Sequence, residues 1–211
     1  MTSWYADYAS QAWYGTTFLV RRPDQIAQCI GHEPVWNNLR DSGCNFTCLA
    51  MIVGIDPARM SSLLATRSYF LADSGLPARN LAGKRGGLVW DQNAPNALRT
   101  SFLLEEIWHP SLRCRTTVQV SFVSSVTTAT YQRGKELISS IRAKGDHVIC
   151  GPQAHSHLVA GVIGDDFFVW DPDDTQTSVE QNLSGALTLR ELYSRCHGKE
   201  IELWRYRCEF S

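Results

Sequence analysis

Residues 41 to 54 read Asp41-Ser42-Gly43-Cys44-Asn45-Phe46-Thr47-Cys48-Leu49-Ala50-Met51-Ile52-Val53-Gly54. Phe46, Leu49, Ala50 and Val53 recur at helical spacing, and Asp41 and Ser42 precede them as candidate N-terminal caps. Gly54 supplies the stop. The stretch predicts a buried helix that begins at a cysteine. At a helix start, unpaired N–H groups and the helix dipole favour negative charge, which biases a thiol towards its nucleophilic thiolate. The same N–H groups suit the oxyanion of an acyl-transfer intermediate.

A thiol nucleophile needs a general base, and the base needs an orienting partner. Late in the chain, His155 and His157 fall on a predicted strand, His155–Ile163. A turn around Gly164-Asp165-Asp166 leads into a second strand, Phe167–Asp171. Period-two geometry puts both histidines on one face, with side chains about 7 Å apart. With the hairpin centred on Gly164, Asp171 faces His157 directly and His155 diagonally, so both imidazoles fall within its reach. Spacing alone does not choose between them. A His-x-His strand is also half of a zinc site, for which Asp171 and Cys44 are chemically suitable further ligands. The blander reading of Cys44 is a small buried hydrophobe.

Working outward, Asp56-Pro57 opens a short helix from Ala58 to about Ala65, and residues 72 to 94 read as loop. A helix is expected over Pro95 to Ile107, with Leu98, Phe102, Leu103 and Ile107 near one stripe. Alternation of Val118, Val120 and Phe122 predicts a strand over Thr116–Phe122. An amphipathic helix (Arg133–Lys144), a strand (His147–Cys150) broken by Gly151-Pro152, a helix (Leu187–Arg195) and a strand (Ile201–Tyr206) complete the pattern. Helices come early and an antiparallel sheet late, which is the α+β class. No internal repeat or low-complexity tract divides residues 1–211, so a single domain is expected. Trp4, Tyr5, Tyr8, Trp13 and Tyr14 suit an N-terminal packing layer better than a docking face.

Composition removes several classes of function. A 44% hydrophobic and 19% charged chain is not disordered. A net charge of −1 offers no basic surplus for nucleic acid. No run approaches the 18 or so apolar residues of a membrane helix, so no membrane partner is expected. The first residues, Met-Thr-Ser-Trp-Tyr-Ala-Asp, lack the basic and apolar regions of a Sec signal. The expectation is a protein cytoplasmic as synthesised, released or delivered, if at all, without such a signal. Cysteines at 29, 44, 48, 114, 150, 196 and 208 are odd in number and lack paired zinc spacing, which points to a reducing compartment.

The segment Asp41–Met51 resembles the nucleophile helix of papain-like cysteine peptidases, closest to the bacteriocin-processing (double-glycine leader) type and its relatives. That family has a Cys, a small residue and a helix running into Leu-Ala-Met. Its second motif is a strand opening with His, a Gly six residues on, and Asp-Pro sixteen residues after the His. His155, Gly161 and Asp171-Pro172 fit that spacing, and so do the preceding Lys135-Glu136-Leu137-Ile138 helix and Val148-Ile149-Cys150 strand. The trailing Leu187–Leu192 helix also fits. The resemblance covers Asn37–Ile55 and Arg133–Gly198, and the region from Leu64 to Thr130 lies outside it. Asn45 stands where the family usually has Gly, and Asn38 where it has an oxyanion-donating Gln.

The resemblance implies a papain-like α+β fold in which the N-terminal nucleophile helix packs on a C-terminal antiparallel sheet. It implies a Cys44-His155-Asp171 triad, with Asn38 as oxyanion donor, since an Asn amide donates the same hydrogen bond as Gln. No cofactor and no catalytic metal are implied. The substrates implied are amide bonds in peptides. Leader peptidases of this type are commonly fused to an exporter's membrane domain, so peptidoglycan peptides, cut by a lysin or effector, are the first expectation. An intracellular protein-cleaving protease or a non-catalytic binding module of the same fold is the alternative. A metal hydrolase using His155, His157 and Asp171 ranks third. His157 is expected to be a hydrogen-bonded sheet histidine. The glycine-rich loop Arg79–Trp90 reads as a flap whose Lys84 and Arg85 clamp an acidic or carboxylate-bearing substrate.

Overall fold

The computed structural model describes residues 2–5, 9, 44–66, 101–152, 155–173 and 187–211. In chain order the elements are β1 (Thr2–Ser3), α1 (Cys44–Val53), α2 (Pro57–Thr66), β2 (Phe102–His109), β3 (Cys114–Thr128) and α3 (Tyr131–Arg142). They continue with β4 (His147–Gly151), β5 (His157–Ile163), β6 (Asp166–Trp170), β7 (Leu187–Thr188), α4 (Leu189–Arg195) and β8 (Ile201–Phe210). The strands form one antiparallel sheet in the order β2-β3-β8-β4-β5-β6-β7, with β1 added to β5. The fold is α+β.

Side chains alternate across this sheet, and the alternation sorts them into two cores. Ile149, Leu158, Ala160, Phe168, Trp170, Trp204 and Tyr206 join the buried side chains of α1, Met60 of α2 and residues of β2 and β3. Val148, Cys150, Val159, Phe167, Val169, Ile201 and Leu203 pack instead with Ile138 and Ile141 of α3 and Leu189, Leu192 and Tyr193 of α4. Burial on both faces explains the unbroken apolar runs Val148-Ile149-Cys150 and Phe167–Trp170, since neither face meets water. All ten residues of α1 are buried, as expected of a helix that is apolar all round.

The helix expected over Pro95 to Ile107 is corrected: residues 102–109 are strand β2, and 95–100 lie outside the described residues. The register slips between Leu104 and Ile107, and Glu106 adopts a positive φ of 50° there. This bulge separates buried Phe102, Leu104 and Ile107 by two and then three positions. The expected stripe ran through Leu103, which is only half-buried, where the strand buries its neighbour Leu104 instead. The strand expected over Thr116–Phe122 is the middle of the fifteen-residue β3. Of the N-terminal aromatics, Trp4 and Tyr5 pack against the two cores, while Tyr8, Trp13 and Tyr14 lie outside the described residues.

β1 occupies the edge of β5 beyond β4, pairing Thr2 with Val162 and Ser3 with Gly161. A side chain at Gly161 would put its Cβ 2.1 Å from the Thr2 carbonyl oxygen and against the Phe168 ring. No described helix is long and apolar enough to cross a membrane. Cys48, Cys114, Cys150, Cys196 and Cys208 are free thiols.

Candidate active site

Cys44 is the first residue of α1, which packs against β4 and β5. One turn further on, the Cys48 thiol lies 3.9 Å from the Ser156 carbonyl oxygen, between the two histidines in sequence. That contact holds the start of α1 beside the start of β5. Burial pushes the Cys48 thiol far above the ordinary range, so Cys48 packs rather than reacts.

The chain leaves β4 at Gly151 and turns sharply. The His155 N–H donates to the Pro152 carbonyl at 3.2 Å. A Cβ on Gly151 would lie 1.9 Å from the His155 carbonyl oxygen. Only glycine leaves room for His155 to fold back over the end of β4.

The His155 Nε2 then lies 2.8 Å from Oδ1 of Asp171, at the far end of β6. The same ring hydrogen-bonds the Cys44 thiol. Burial works against a charged His155, but the hydrogen bonds and negative charge of Asp171 and Cys44 outweigh it and push the pKa up to about 10. Burial likewise opposes ionisation of Asp171, yet the His155 hydrogen bond and the electrostatics of the His155 and His157 contacts hold its carboxyl far below the usual carboxylate range. The Asp173 N–H also donates to Oδ1 at 2.9 Å, an Asx-type turn that fixes the carboxylate. Cys44 is buried, while the His155 and Asp171 side chains are 30% and 37% exposed, so solvent approaches from the imidazole side.

His157 joins this group. Its Nε2 lies 3.6 Å from Oδ2 of Asp171, an ion-pair distance longer than a good hydrogen bond. Its ring meets that of His155 edge to face, with centroids 4.5 Å apart. The separation of about 7 Å expected along a regular strand does not hold, because β5 begins at His157 and His155 precedes it. The His157 side chain is 5% exposed, and its Nδ1 has no hydrogen-bond partner among the described residues.

Cys44, His155 and Asp171, 127 positions apart at the extremes, are thus brought together around one imidazole. Asn38, Lys84 and Arg85 lie outside the described residues, as do Asp41, Ser42 and the loop Arg79–Trp90. Asn45 is fully buried beside the Tyr206 hydroxyl, without a well-formed hydrogen bond among the described residues. Sequence reasoning treated Gly151-Pro152 as a strand break and did not find the role of Gly151 in placing His155. The signal was a glycine four residues before the candidate base, which has no meaning until the turn is known.

Comparison with protein-family models, with curated proteins and with solved structures finds no match to the chain.

Proposed function

We propose that this chain is a thiol-dependent hydrolase of papain-like fold that cleaves amide bonds in peptides through Cys44, His155 and Asp171. The observation that carries the reading is a single imidazole that hydrogen-bonds a fixed carboxylate at 2.8 Å and interacts with the thiol of the helix-start Cys44. A carboxylate on Nε2 keeps a proton there and directs the Nδ1 lone pair at sulfur. His155 takes the Cys44 proton through Nδ1, and the resulting imidazolium favours the thiolate beside it.

The thiolate attacks the scissile carbonyl carbon, and the oxyanion is stabilised by the Cys44 N–H with Asn38 as second donor. Collapse breaks the C–N bond as His155 gives its Nδ1 proton to the leaving amine. Water, deprotonated by the same nitrogen, then releases the acid from the thioester and restores the thiol. Asp171 stays ionised and holds the ring.

Peptidoglycan peptides, as for a lysin or effector, are the proposed substrate class, with Lys84 and Arg85 as clamps for acidic or carboxylate-bearing groups. Zymography on cell walls beside a panel of protein substrates separates this from a protein-cleaving protease. Cys44→Ala is expected to abolish turnover on the active substrate while leaving thermal stability nearly unchanged. Full activity in that variant contradicts the reading, and a wild type inactive on every substrate leaves the binding-module alternative standing.

A further inference from the structure

The thiol chemistry uses one histidine, yet two converge on Asp171. Among the described residues His157 is more than nine-tenths buried, its Nδ1 has no hydrogen-bond partner, and its Nε2 faces the carboxylate from 3.6 Å. Among the described residues the ring's one polar partner is that carboxylate oxygen at 3.6 Å, which makes a buried imidazole there costly as a purely structural choice. His155 Nε2, 2.8 Å from the other carboxylate oxygen, completes a group of three donors whose ligand atoms all lie within 4.8 Å of one another.

We propose that His155, His157 and Asp171 form a zinc-type divalent metal site whose occupancy switches off the thiol reaction. Zinc takes imidazole nitrogen and carboxylate oxygen at about 2.0–2.2 Å in tetrahedral array, which sets neighbouring donors about 3.3–3.5 Å apart. The three donor atoms lie within 4.8 Å of one another, so the widest pair closes by up to about an ångström around the ion, while the 2.8 Å hydrogen bond of His155 to Asp171 opens to admit it. Two imidazoles and one carboxylate leave a fourth position for water, which reaches the cluster through the partly exposed His155 and Asp171. On the thiol reading the Cys44 sulfur faces the other nitrogen of His155, outside the coordination sphere, as the second partner of a metal-bound histidine does.

The consequence for the reaction follows from proton bookkeeping. Starting from the imidazolium–thiolate pair, binding exchanges the Nε2 proton of His155 for the metal, releases that proton to solvent, and leaves on Nδ1 the proton taken from Cys44. The ring then has no lone pair with which to accept a proton from the hydrolytic water. Giving up the Nδ1 proton would produce a metal-bound imidazolate. His155 serves neither as base nor as acid while the metal is bound.

This proposal rests on the thiol reading for its effect on turnover, but not for binding itself. Full-length protein stripped with chelator and kept reduced is titrated with zinc chloride against a chromophoric zinc indicator. One zinc per chain is expected, with a rise in melting temperature. His157→Ala and Asp171→Asn should each weaken Kd at least tenfold, whereas Cys44→Ala should leave it within threefold. Asp171 is partly exposed and Asn keeps its shape, so this variant reports even if His157→Ala fails to fold. Turnover of the wild type should fall in step with occupancy and return with chelator. Absent stoichiometric binding, binding unchanged in Asp171→Asn, or binding lost in Cys44→Ala overturns the site. Zinc that binds there and raises turnover overturns the inhibition. The thiol reading fails separately, on a Cys44→Ala protein that keeps its activity in chelator.

Discussion

Asp171 offers one carboxylate oxygen to His155 at 2.8 Å and the other to His157 at 3.6 Å. The shorter contact is a charge-assisted hydrogen bond and the longer one is not. His155 is therefore the imidazole coupled to the carboxylate, and it is also the one that meets the Cys44 thiol. His155→Ala is expected to lose essentially all turnover. His157→Ala, assayed in chelator, should lose less than about tenfold, because the general base is spared. Kinetics of the two variants on one substrate check the assignment, and the reverse ranking would place the catalytic imidazole two residues later.

Gly151 gives a test that touches no reacting group. A methyl there meets the His155 carbonyl oxygen at 1.9 Å, so the turn must shift and carry His155 with it. Gly151→Ala is expected to lower kcat by about 100-fold, the scale of a displacement of about 1 Å at a catalytic group, with a smaller change in KM. An unaltered kcat would show that His155 is positioned by Asp171 alone.

The pairing of β5 with β6 illustrates how far the residues could be read before the structure. At the turn Ile163 pairs with Asp166, and if that register continued, Asp171 would stand opposite Leu158. The ladder slips by one between Val159 and Gly161, so that Leu158 pairs with Trp170 and Asp171 comes opposite His157. A pairing centred on Gly164 gives the right outcome at the far end although the turn itself is offset, because a bulge restores the register. Bulges leave little trace in hydrophobic patterning, and in β2 a stripe read through Phe102, Leu103 and Ile107 gave a helix where a bulged strand stands. By contrast, α1 and α3 were legible from their apolar spacing, and spacing within one hairpin put both His155 and His157 within reach of Asp171 without choosing between them. The approach of Cys44 to His155 is a contact between segments 111 positions apart, which no local pattern encodes.

Stability should respond to pH through His147 on the acid side. Its Nδ1 accepts from the Tyr5 hydroxyl at 2.8 Å and lies 3.3 Å from an Arg142 nitrogen, so the neutral ring is the form that fits. Burial, aided by the Arg142 charge, lowers its pKa to about 4. A folded value below the unfolded value of about 6.5 means that the contribution is complete above pH 6.5 and lost as pH falls towards 4. The loss amounts to roughly 3 kcal/mol at most. Melting curves between pH 7 and 4 should show a decline that His147→Gln reduces, and an identical decline in the variant would assign it to other groups.

His155 gives the opposite sign. Its folded pKa of about 10 lies above the unfolded value, so its contribution is complete below about pH 6.5 and is lost as pH rises through 10. The melting-temperature advantage of the wild type over His155→Gln should shrink steadily across that window. A constant difference would mean that the imidazolium is not what Asp171 and Cys44 stabilise.

The central claim is that His155 makes Cys44 a nucleophile, and alkylation tests it without any knowledge of the substrate. At about pH 6, limiting iodoacetamide followed by peptide mapping compares Cys44 with Cys114, an exposed thiol in the same chain. An ordinary thiol with a pKa of about 8.5 is well under 1% thiolate there and reacts slowly. The account predicts that Cys44 is modified first in the wild type and that His155→Ala removes this preference while Cys114 is unchanged. Labelling of Cys44 no faster than Cys114, or a preference that survives the loss of His155, would contradict it.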